Sequence, residues 1–293
     1  MMKTCIMFTC FSWLFFCAGV SPAAENKCLE GDCLNGSGVR QYADGAQYTG
    51  EFKEGLPSGH GTMISEDGKR YEGEWAEGKK NGRGTLITPI GAKYVGEFKD
   101  GVKQGQGIYT FPNGEVYTGA FEQGEPNGRG VHTYPDGVKY EGEFKNGLYD
   151  GNGIMIFPDG RKYVCEFSRG KAKGEGIMTL ANGEKYVGEF DGGEANGKGS
   201  YYFTDGTVYE GGWKDFKYHG QGTITFADGS RYEGEFQNGR REGSGTMTFP
   251  DGEVYKGNWK DDRKHGFGIL ITSAGEKYEG QWEQGEFKGE TNQ

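Results

Sequence analysis

The chain has few hydrophobic residues, few histidines and a deficit of positive charge. Only 33% of its 293 residues are hydrophobic, four are histidine, and 33 Lys and Arg stand against 43 Asp and Glu, a net charge of −10. This acidic balance argues against nucleic acid as a partner, because that binding depends on Lys and Arg that neutralise phosphates. It also argues against simple adsorption to anionic membranes, which needs basic clusters.

A low hydrophobic content is typical of disordered chains, but such chains are also poor in aromatic residues. Here 14% of the residues are aromatic. Glycine is abundant, with 57 residues, yet it does not recur at every third position, which excludes a collagen triple helix. The composition therefore predicts an ordered, glycine-rich chain.

The order lies in a repeat of 23 residues. Each repeat opens on a tyrosine that is followed four residues later by Phe or Trp. The opening tyrosines are Tyr48, Tyr71, Tyr94, Tyr117, Tyr140, Tyr163, Tyr186, Tyr209, Tyr232, Tyr255 and Tyr278. A fixed period of this length predicts an array of stacked units, each in contact mainly with its neighbours.

Each repeat is interpreted as two short antiparallel strands. In Tyr140-Glu-Gly-Glu-Phe144, alternation places Tyr, Gly and Phe on one face and both Glu on the other. Residues 151–157 continue the alternation, and Pro158-Asp-Gly160 is a turn signal before the next repeat. The predicted fold is all-β: an elongated, single-sheet, solenoid-like meander of antiparallel β-hairpin repeats, roughly 100 Å long.

The rings on one face of this sheet are expected to stack on each other, since the glycine between them leaves room. We interpret most of them as core rather than as a binding site. Positions of this structural aromatic ladder in alternate repeats are Tyr48, Phe52, Tyr94, Phe98, Tyr140, Phe144, Tyr186, Phe190, Tyr232 and Phe236.

The repeated pattern Tyr-x-Gly-Glu-Phe, then Gly, then Gly-x-Gly, then Asp-Gly resembles the MORN repeat (membrane occupation and recognition nexus). The resemblance covers nearly all of the chain after its first few dozen residues. It implies an elongated sheet of β-hairpins that serves as a scaffold, an adaptor or a dimerisation module. Lipid binding is the role in the family's name, but it does not follow from the repeats.

The chain is expected to fall into four segments. Residues 1–24 have the basic start, apolar run and small residues of a secretory signal peptide. Residues 25–35 are interpreted as a disulfide-looped cap over the first strand edge, residues 36–289 as the repeat array, and residues 290–293 as a tail. The localisation expected is therefore outside the cytosol, either periplasmic or extracellular.

In an oxidising compartment, Cys28 and Cys33 are suited to a small disulfide loop. A metal site is the weaker interpretation, because no His or second Cys pair lies nearby. Cys165 takes the place of the glycine in the Tyr-x-Gly pattern and is expected to be small and half-buried, not a nucleophile. Whether it is free or paired between chains is left open.

Function in a repeat array should lie where the copies differ. Two segments 46 residues apart share Trp, Lys and His and lack the usual mid-loop glycine. The candidate partner-binding residues are Trp213, Lys214, His219, Trp259, Lys260 and His265. An Asp–His metal site is a sharper variant of this hypothesis. Duplication of a two-repeat block, with the histidines facing solvent, is the favoured explanation.

A second difference concerns charge. Six repeats have Lys or Arg before the opening tyrosine and Glu three residues after it, as in Lys93 and Glu97. Where Val replaces the base, the Glu is also missing, as in Val116 and Ala120. Because both positions share the outer face, we interpret the pair as charge compensation across neighbouring strands.

No set of residues points to catalysis, a resident metal or a cofactor, since the acidic residues recur in near-identical surroundings. The expected function is a non-enzymatic, exported scaffold that binds a protein partner or organises a surface assembly. The alternative is a module that binds membrane lipid or a cell-envelope glycan. The end after Trp282 looks uncapped, so a homodimer formed by edge pairing is also considered.

Overall fold

The computed structural model describes residues 25–289, which form one antiparallel sheet of 24 strands. Each strand pairs with the next strand along the chain, as the meander prediction required. Within the described residues, no helix is long and apolar enough to cross a membrane. The signal-peptide prediction for residues 1–24 and the tail at residues 290–293 lie outside the described residues.

The strands alternate between seven and nine residues through most of the sheet. Their bounds are β1 (Lys27–Gly31), β2 (Ser37–Gln41), β3 (Gln47–Lys53), β4 (Leu56–Ile64), β5 (Arg70–Ala76), β6 (Lys79–Ile87), β7 (Lys93–Lys99), β8 (Val102–Thr110), β9 (Val116–Glu122), β10 (Glu125–Thr133), β11 (Lys139–Lys145), β12 (Leu148–Ile156), β13 (Lys162–Ser168), β14 (Lys171–Thr179), β15 (Lys185–Asp191), β16 (Glu194–Tyr202), β17 (Val208–Lys214), β18 (Lys217–Thr225), β19 (Arg231–Gln237), β20 (Arg240–Thr248), β21 (Val254–Lys260), β22 (Arg263–Ile271), β23 (Lys277–Glu283) and β24 (Glu286–Gly289).

Two kinds of turn join the strands. Between β7 and β8, Asp100 and Gly101 both have positive φ, 51° and 89°, which is the conformation of the tight type I′ hairpin turn. Between β8 and β9 the turn is wider, and the Phe111 amide donates to the Glu115 carbonyl at 2.8 Å. The glycines in these turns supply the left-handed backbone that the hairpins need.

The second strand of the repeat contains a β-bulge. In the β7–β8 pair, Gly96 lies opposite Gly107, but the next pair is Glu97 and Gln104, so β8 has extra residues at this point. Gly105, with a φ of 64°, makes the bulge. The freed amide of Gln106 donates to the Glu97 carboxylate at 3.2 Å. The glutamate therefore fixes the bulge of the neighbouring strand.

The same contact recurs in other repeats, which corrects the charge-compensation hypothesis. The glutamates that accept a bulge amide in this way are Glu51, Glu74, Glu97, Glu189 and Glu235. Three of the six bases before the tyrosine pair instead with a glutamate two residues later, for example Arg70 with Glu72 at 2.6 Å and Lys139 with Glu141 at 3.0 Å. The sequence analysis missed the hydrogen bond from the bulge amide to the glutamate, because a pattern of charges does not reveal hydrogen bonds to the backbone.

The core is a ladder of rings on one face of the sheet. Tyr94 is fully buried and meets Phe98 and Phe121 edge-to-face, at 5.1 and 4.9 Å between ring centroids. Its ring lies over Gly107, where an added Cβ would be 2.5 Å from the ring, and its hydroxyl donates to the Glu97 carbonyl at 2.9 Å. Edge-to-face pairs add about 0.5–1.5 kcal/mol each beyond the burial of the rings.

The ladder is continuous from Tyr48 to Phe167 and again from Tyr186 to Trp282. All ten ladder positions named from the sequence lie in it, and each is buried. The tyrosines that are less than 2% exposed are Tyr48, Tyr71, Tyr94, Tyr117, Tyr140, Tyr186, Tyr209, Tyr232 and Tyr255. Because these rings cover one another, the sheet has a core without a second layer.

Cys165 interrupts the ladder. The expectation of a half-buried residue was wrong, since Cys165 is only 6% exposed. A Cβ added to Gly176 would lie 2.4 Å from the Cβ of Cys165. The Cys165 side chain therefore fills the space that holds a tyrosine ring in the other repeats. Burial raises the pKa of the Cys165 thiol to about 11, which disfavours the reactive thiolate.

The first described strands carry the disulfide. Cys28 and Cys33 are bonded, with 5.9 Å between their Cα atoms. Strand β1 covers β2, but all five residues of β1 are exposed, so it forms the edge itself. At the other end the expected bare edge is covered by the four-residue strand β24, in which Phe287 packs on Trp282 at 5.2 Å.

Candidate interaction surfaces

The tryptophans of the predicted partner-binding loops are core residues. Trp213 is 8% and Trp259 is 5% exposed, and both lie in the aromatic ladder. Their indole nitrogens donate to the carbonyls of Gly199 and Gly245, at 3.0 and 3.2 Å. Trp at the fourth position after the opening tyrosine replaces Phe in the ladder, so these rings are not displayed to a partner.

The lysines and histidines of those loops face the other way. Lys214 and Lys260 are exposed on the face opposite the ladder, because they follow the tryptophans directly in the strand. His219 and His265 lie on that same face and are half-buried. The two segments are four strands apart, about 19 Å across the sheet. The structure therefore does not bring the six residues into one site, and residues 25–289 hold no group of three metal-ligating side chains.

The two loops also differ at the position that lacks the usual glycine. Phe216 and Asp262 both have positive φ, 58° and 66°. Asp262 is held by Arg241, whose amide and side-chain nitrogen donate to it at 2.9 and 3.2 Å. Phe216 is 38% exposed. The two loops share the backbone hydrogen bonds from Phe216 to Ala195 and from Asp262 to Arg241, but the side chains of Phe216 and Asp262 make different contacts.

The face opposite the ladder carries a row of aliphatic side chains that sequence reasoning missed. Cross-strand register places these residues next to one another across β7 to β15, interrupted by Thr118 and Glu141. The members of this aliphatic row are Val95, Ile108, Val131, Ile154, Val164, Ile177 and Val187. Their alternation was visible in the sequence, but only the register shows that they are neighbours.

Shallow grooves run along this face. One has a volume of about 1020 Å³ and is bordered by Arg83, Lys93, Val95, Glu97 and Ile108. A second, of about 850 Å³, continues past Ile154 and Val164. The grooves follow the central glycines, where no side chain fills the surface. The face therefore offers an apolar row with charged side chains of both signs on its flanks.

A cluster of titratable side chains lies between β9 and β12. His132 Nδ1 is 2.9 Å from the Tyr149 hydroxyl, and the Tyr149 and Tyr134 hydroxyls are 2.6 Å apart. His132 Nε2 lies 3.1 Å from the Glu115 carboxylate. Burial lowers the pKa of His132, although Glu115 opposes that shift. The cluster gives the buried Tyr149 hydroxyl its partners, which is a structural role.

Cations lie over part of the ladder. They come from the second residue of the second strand in four repeats, where the side chain lies against the opening tyrosine. The ring-centroid distances to that tyrosine are 5.2 Å for Lys80, 5.5 Å for Lys103, 5.5 Å for Arg241 and 5.0 Å for Lys264. Burial lowers the pKa of these three lysines.

The other repeats have no cation at this position; next to Tyr186 it is Ala195, and both residues are fully buried. A cavity of about 370 Å³ opens there on the ladder face. Aromatic side chains supply most of its wall, with Lys217 at its border. The lining rings are Tyr186, Tyr201, Phe203, Trp213, Phe216 and Tyr218. We refer to this cavity as the aromatic cage.

Comparison with known proteins identifies the repeat. A family model described as "MORN repeat" matches residues 34–47, 48–70, 71–93, 94–116, 117–139, 140–160, 163–185, 186–208, 209–231, 232–254, 255–276 and 278–290. No curated protein matches the chain.

Among solved structures, the chain is similar to the TCP10 domain of Danio rerio CPAP in complex with a peptide of Danio rerio STIL. The identity is 19%, over 78% of this chain and 97% of that one, with a TM-score of 0.27. The TCP10c domain of Drosophila melanogaster Sas-4 is 11% identical over 53% of this chain and 93% of that one, with a TM-score of 0.33. Likenesses with TM-scores this low say nothing about function.

Proposed function

The chain belongs to the MORN repeat family, and we propose that it is a non-enzymatic scaffold that binds a protein partner along the face opposite its aromatic ladder. The observation that carries this proposal is the aliphatic row. Val95, Ile108, Val164 and Ile177 are 41, 44, 38 and 38% exposed. The row is unbroken from Ile154 to Val187, and contiguous apolar surface with a polar rim is the usual mark of a protein-binding site.

The row is not needed for folding, because the sheet buries its rings on the other face. Its flanks suit an extended peptide segment: the bases that precede the opening tyrosines lie on one side, and the bulge-capping glutamates lie on the other. A segment that lies across the strands could place apolar side chains on the row and polar ones on the flanks. Backbone hydrogen bonding would add little, since every strand in this region is already paired.

The non-enzymatic assignment rests on the repetition itself. The grooves are open and recur with similar linings, whereas catalysis needs groups in unlike surroundings. Cys165, the free thiol of the described residues, has its thiolate disfavoured by burial. Membership of the MORN repeat family also supports a non-enzymatic scaffold.

Export is part of the proposal. It is supported by the leader-like sequence of residues 1–24 and by the bonded pair Cys28 and Cys33, since disulfides persist in oxidising compartments. N-terminal sequencing of the protein recovered outside the cytosol is expected to start near Ala24 or Glu25. Recovery of the full-length chain in the cytosol would overturn this part.

Site-specific photo-crosslinking tests the binding face. A photoreactive residue is placed at Ile108 or Ile177 on the row, and at Ile90, which is 74% exposed in a turn away from it. Crosslinks to a discrete protein are expected from the two row positions, and Val164→Asp should abolish them. Equal crosslinking from Ile90, or crosslinks that survive V164D, would refute the proposal. Crosslinks to lipid, with co-sedimentation on liposomes, would favour the membrane alternative.

A further inference from the structure

The bases that flank the aliphatic row are paired differently from the equivalent bases elsewhere in the sheet. In four repeats, the base before the opening tyrosine forms an ion pair with the glutamate two residues later. These pairs are Arg70 with Glu72, Lys139 with Glu141, Arg231 with Glu233 and Lys277 with Glu279. Three other repeats have Val in place of that glutamate, and there the base is Lys93, Lys162 or Lys185. Within residues 25–289, none of these three lysines has a carboxylate within 4 Å of its ammonium group.

The valines that replace the glutamate are all members of the aliphatic row. The same replacement therefore adds an apolar side chain to the row and leaves the neighbouring lysine without its carboxylate. Lys162 and Lys185 lie on either side of Thr179 across the strands, which places them two strand spacings, about 10 Å, apart. Beside them the row is unbroken from Ile154 to Val187. Two ammonium groups without a carboxylate thus line one side of a continuous apolar strip.

Both lysines are accessible to a partner. Lys162 is exposed at the start of β13. Lys185 is half-buried, and its ammonium group lies 4.9 Å from the centre of the Tyr202 ring. An aromatic ring beside an ammonium group does not neutralise its charge. Both lysines can therefore still pair with a carboxylate from outside the chain.

The other side of the row has the opposite charge. Glu166, Glu175 and Glu189 are exposed there, with Lys173 opposite Glu166. The glutamates lie four residues along the strand from the lysines, about 13 Å away. Because the Debye length is about 8 Å at physiological ionic strength, these acids and the net charge of −10 are largely screened from a group that contacts the lysines. A carboxylate is therefore favoured on the lysine side of the row and disfavoured on the other side.

We propose that the segment bound on the aliphatic row is acidic on one side, and that its carboxylates pair with Lys162 and Lys185. This inference deepens the proposed scaffold function and rests on it for the location of the partner. A peptide segment is favoured over an anionic membrane surface, because a flat surface would also meet the glutamates on the other side of the row. Exposed ion pairs of this kind contribute modestly to affinity and fix the orientation of the bound segment.

Synthetic peptides test the acid preference without knowledge of the partner. Four copies of Glu-Val-Ser place a carboxylate at every third residue, and three residues of extended chain span about 10 Å. Peptides with Gln or Lys in place of Glu are the controls, and the methyl resonances of Val164 and Ile177 report binding. We expect the Glu peptide to bind about fivefold more tightly than the Gln peptide, as two exposed ion pairs provide. Equal affinity of these two peptides, tighter binding of the Lys peptide, or no methyl shift with any peptide would overturn the inference.

Variants copied from the chain's own repeats give matched controls. Lys162→Val copies Val116 and should reduce the preference for the Glu peptide, while the Gln peptide binds as before. Lys145→Val removes the same charge from an exposed position on the other side of the row and should leave the preference unchanged. Glu141→Val frees Lys139 and closes a gap in the row, so it should increase the preference. Equal losses in K162V and K145V would show an effect of net charge alone and would overturn the inference.

The source of the acidic group and the scaffold function are tested separately. Vesicles of phosphatidylcholine and phosphatidylserine should not displace the Glu peptide, and displacement would overturn the choice of a peptide partner. If the Gln peptide shifts the row methyl groups as strongly as the Glu peptide, the acid preference fails and the scaffold proposal stands. If crosslinking from the row fails while the Glu peptide is still preferred, the scaffold proposal fails and the pairing of the lysines with carboxylates stands.

Discussion

Cys165 keeps Tyr163 out of the aromatic ladder. Every other opening tyrosine from Tyr48 to Tyr255 is less than 2% exposed, whereas Tyr163 is half-buried and lies 5.9 Å from Phe190 in a tilted arrangement. The regular hydrogen bond from the tyrosine hydroxyl to the carbonyl three residues later joins Tyr140 to Glu143 at 2.9 Å, and no counterpart joins Tyr163 to Glu166. The small side chain of Cys165 thus divides the ladder into two parts.

Replacing Cys165 with glycine should restore the ladder. The Tyr163 ring is expected to settle over Gly176 and to donate to the Glu166 carbonyl. A buried hydrogen bond of about 1 kcal/mol and further ring burial should outweigh the cost of about 0.5–1 kcal/mol for a more flexible glycine. The check is nitration of Tyr163 together with urea unfolding. Unchanged nitration would contradict this account, and Cys165→Ser is the control.

The glycines under the rings should not tolerate a side chain. In Gly107→Ala, the new Cβ would lie 2.5 Å from the Tyr94 ring, and displacing a packed ring costs about 1–3 kcal/mol. The matched control is Gly101→Ala in the same repeat, where nothing lies within 4 Å but φ is 89°. That variant should cost about 1 kcal/mol from the left-handed backbone alone. A smaller loss for G107A than for G101A in urea unfolding would refute the packing explanation.

The bulge-capping glutamates should contribute to stability through a hydrogen bond. Glu97→Ala removes the acceptor of the Gln106 amide and should cost about 1 kcal/mol. Glu175→Ala, at an exposed position on the same face, should have little effect. The converse change is Ala120→Glu, which adds the acceptor to a repeat that lacks it. Hydrogen exchange of the Gln106 amide should accelerate in E97A, and unchanged exchange would count against this role.

The ladder should make the protein sensitive to alkali. Burial raises the pKa of five opening tyrosines, Tyr71, Tyr94, Tyr117, Tyr186 and Tyr255, to about 12. Their unfolded value is about 10, so the folded state holds these protons more tightly. The stability they contribute is complete below pH 10 and is lost as pH rises towards about 12.

The buried lysines act in the opposite direction but do not mask this loss. Their lowered pKa values favour folding as pH rises, and that gain ends near their unfolded value of about 10.5. Tyrosine ionisation, followed by ultraviolet absorbance, should therefore coincide with loss of β-sheet circular dichroism. Ionisation of all tyrosines near pH 10 with the sheet intact would contradict the burial of the ladder.

The fold was predictable because the repeat is local. A period of 23 residues with Tyr, Gly and Phe in alternation determines two strands, one ring-bearing face and a turn. Family membership and the antiparallel meander followed from this pattern and are confirmed. The interaction surfaces were harder to predict from the sequence. Trp213 and Trp259 were chosen because they depart from the repeat pattern, but both are core residues. Their shared spacing carries no information about exposure.

The sequence alone determined the period, the strands and the residues that share a face, because alternation along an extended chain depends only on local geometry. Tertiary structure decided which residues are neighbours across the strands. The bulge shifts the register of each second strand, and only that register makes Val95 a neighbour of Ile108 or aims Glu97 at the Gln106 amide.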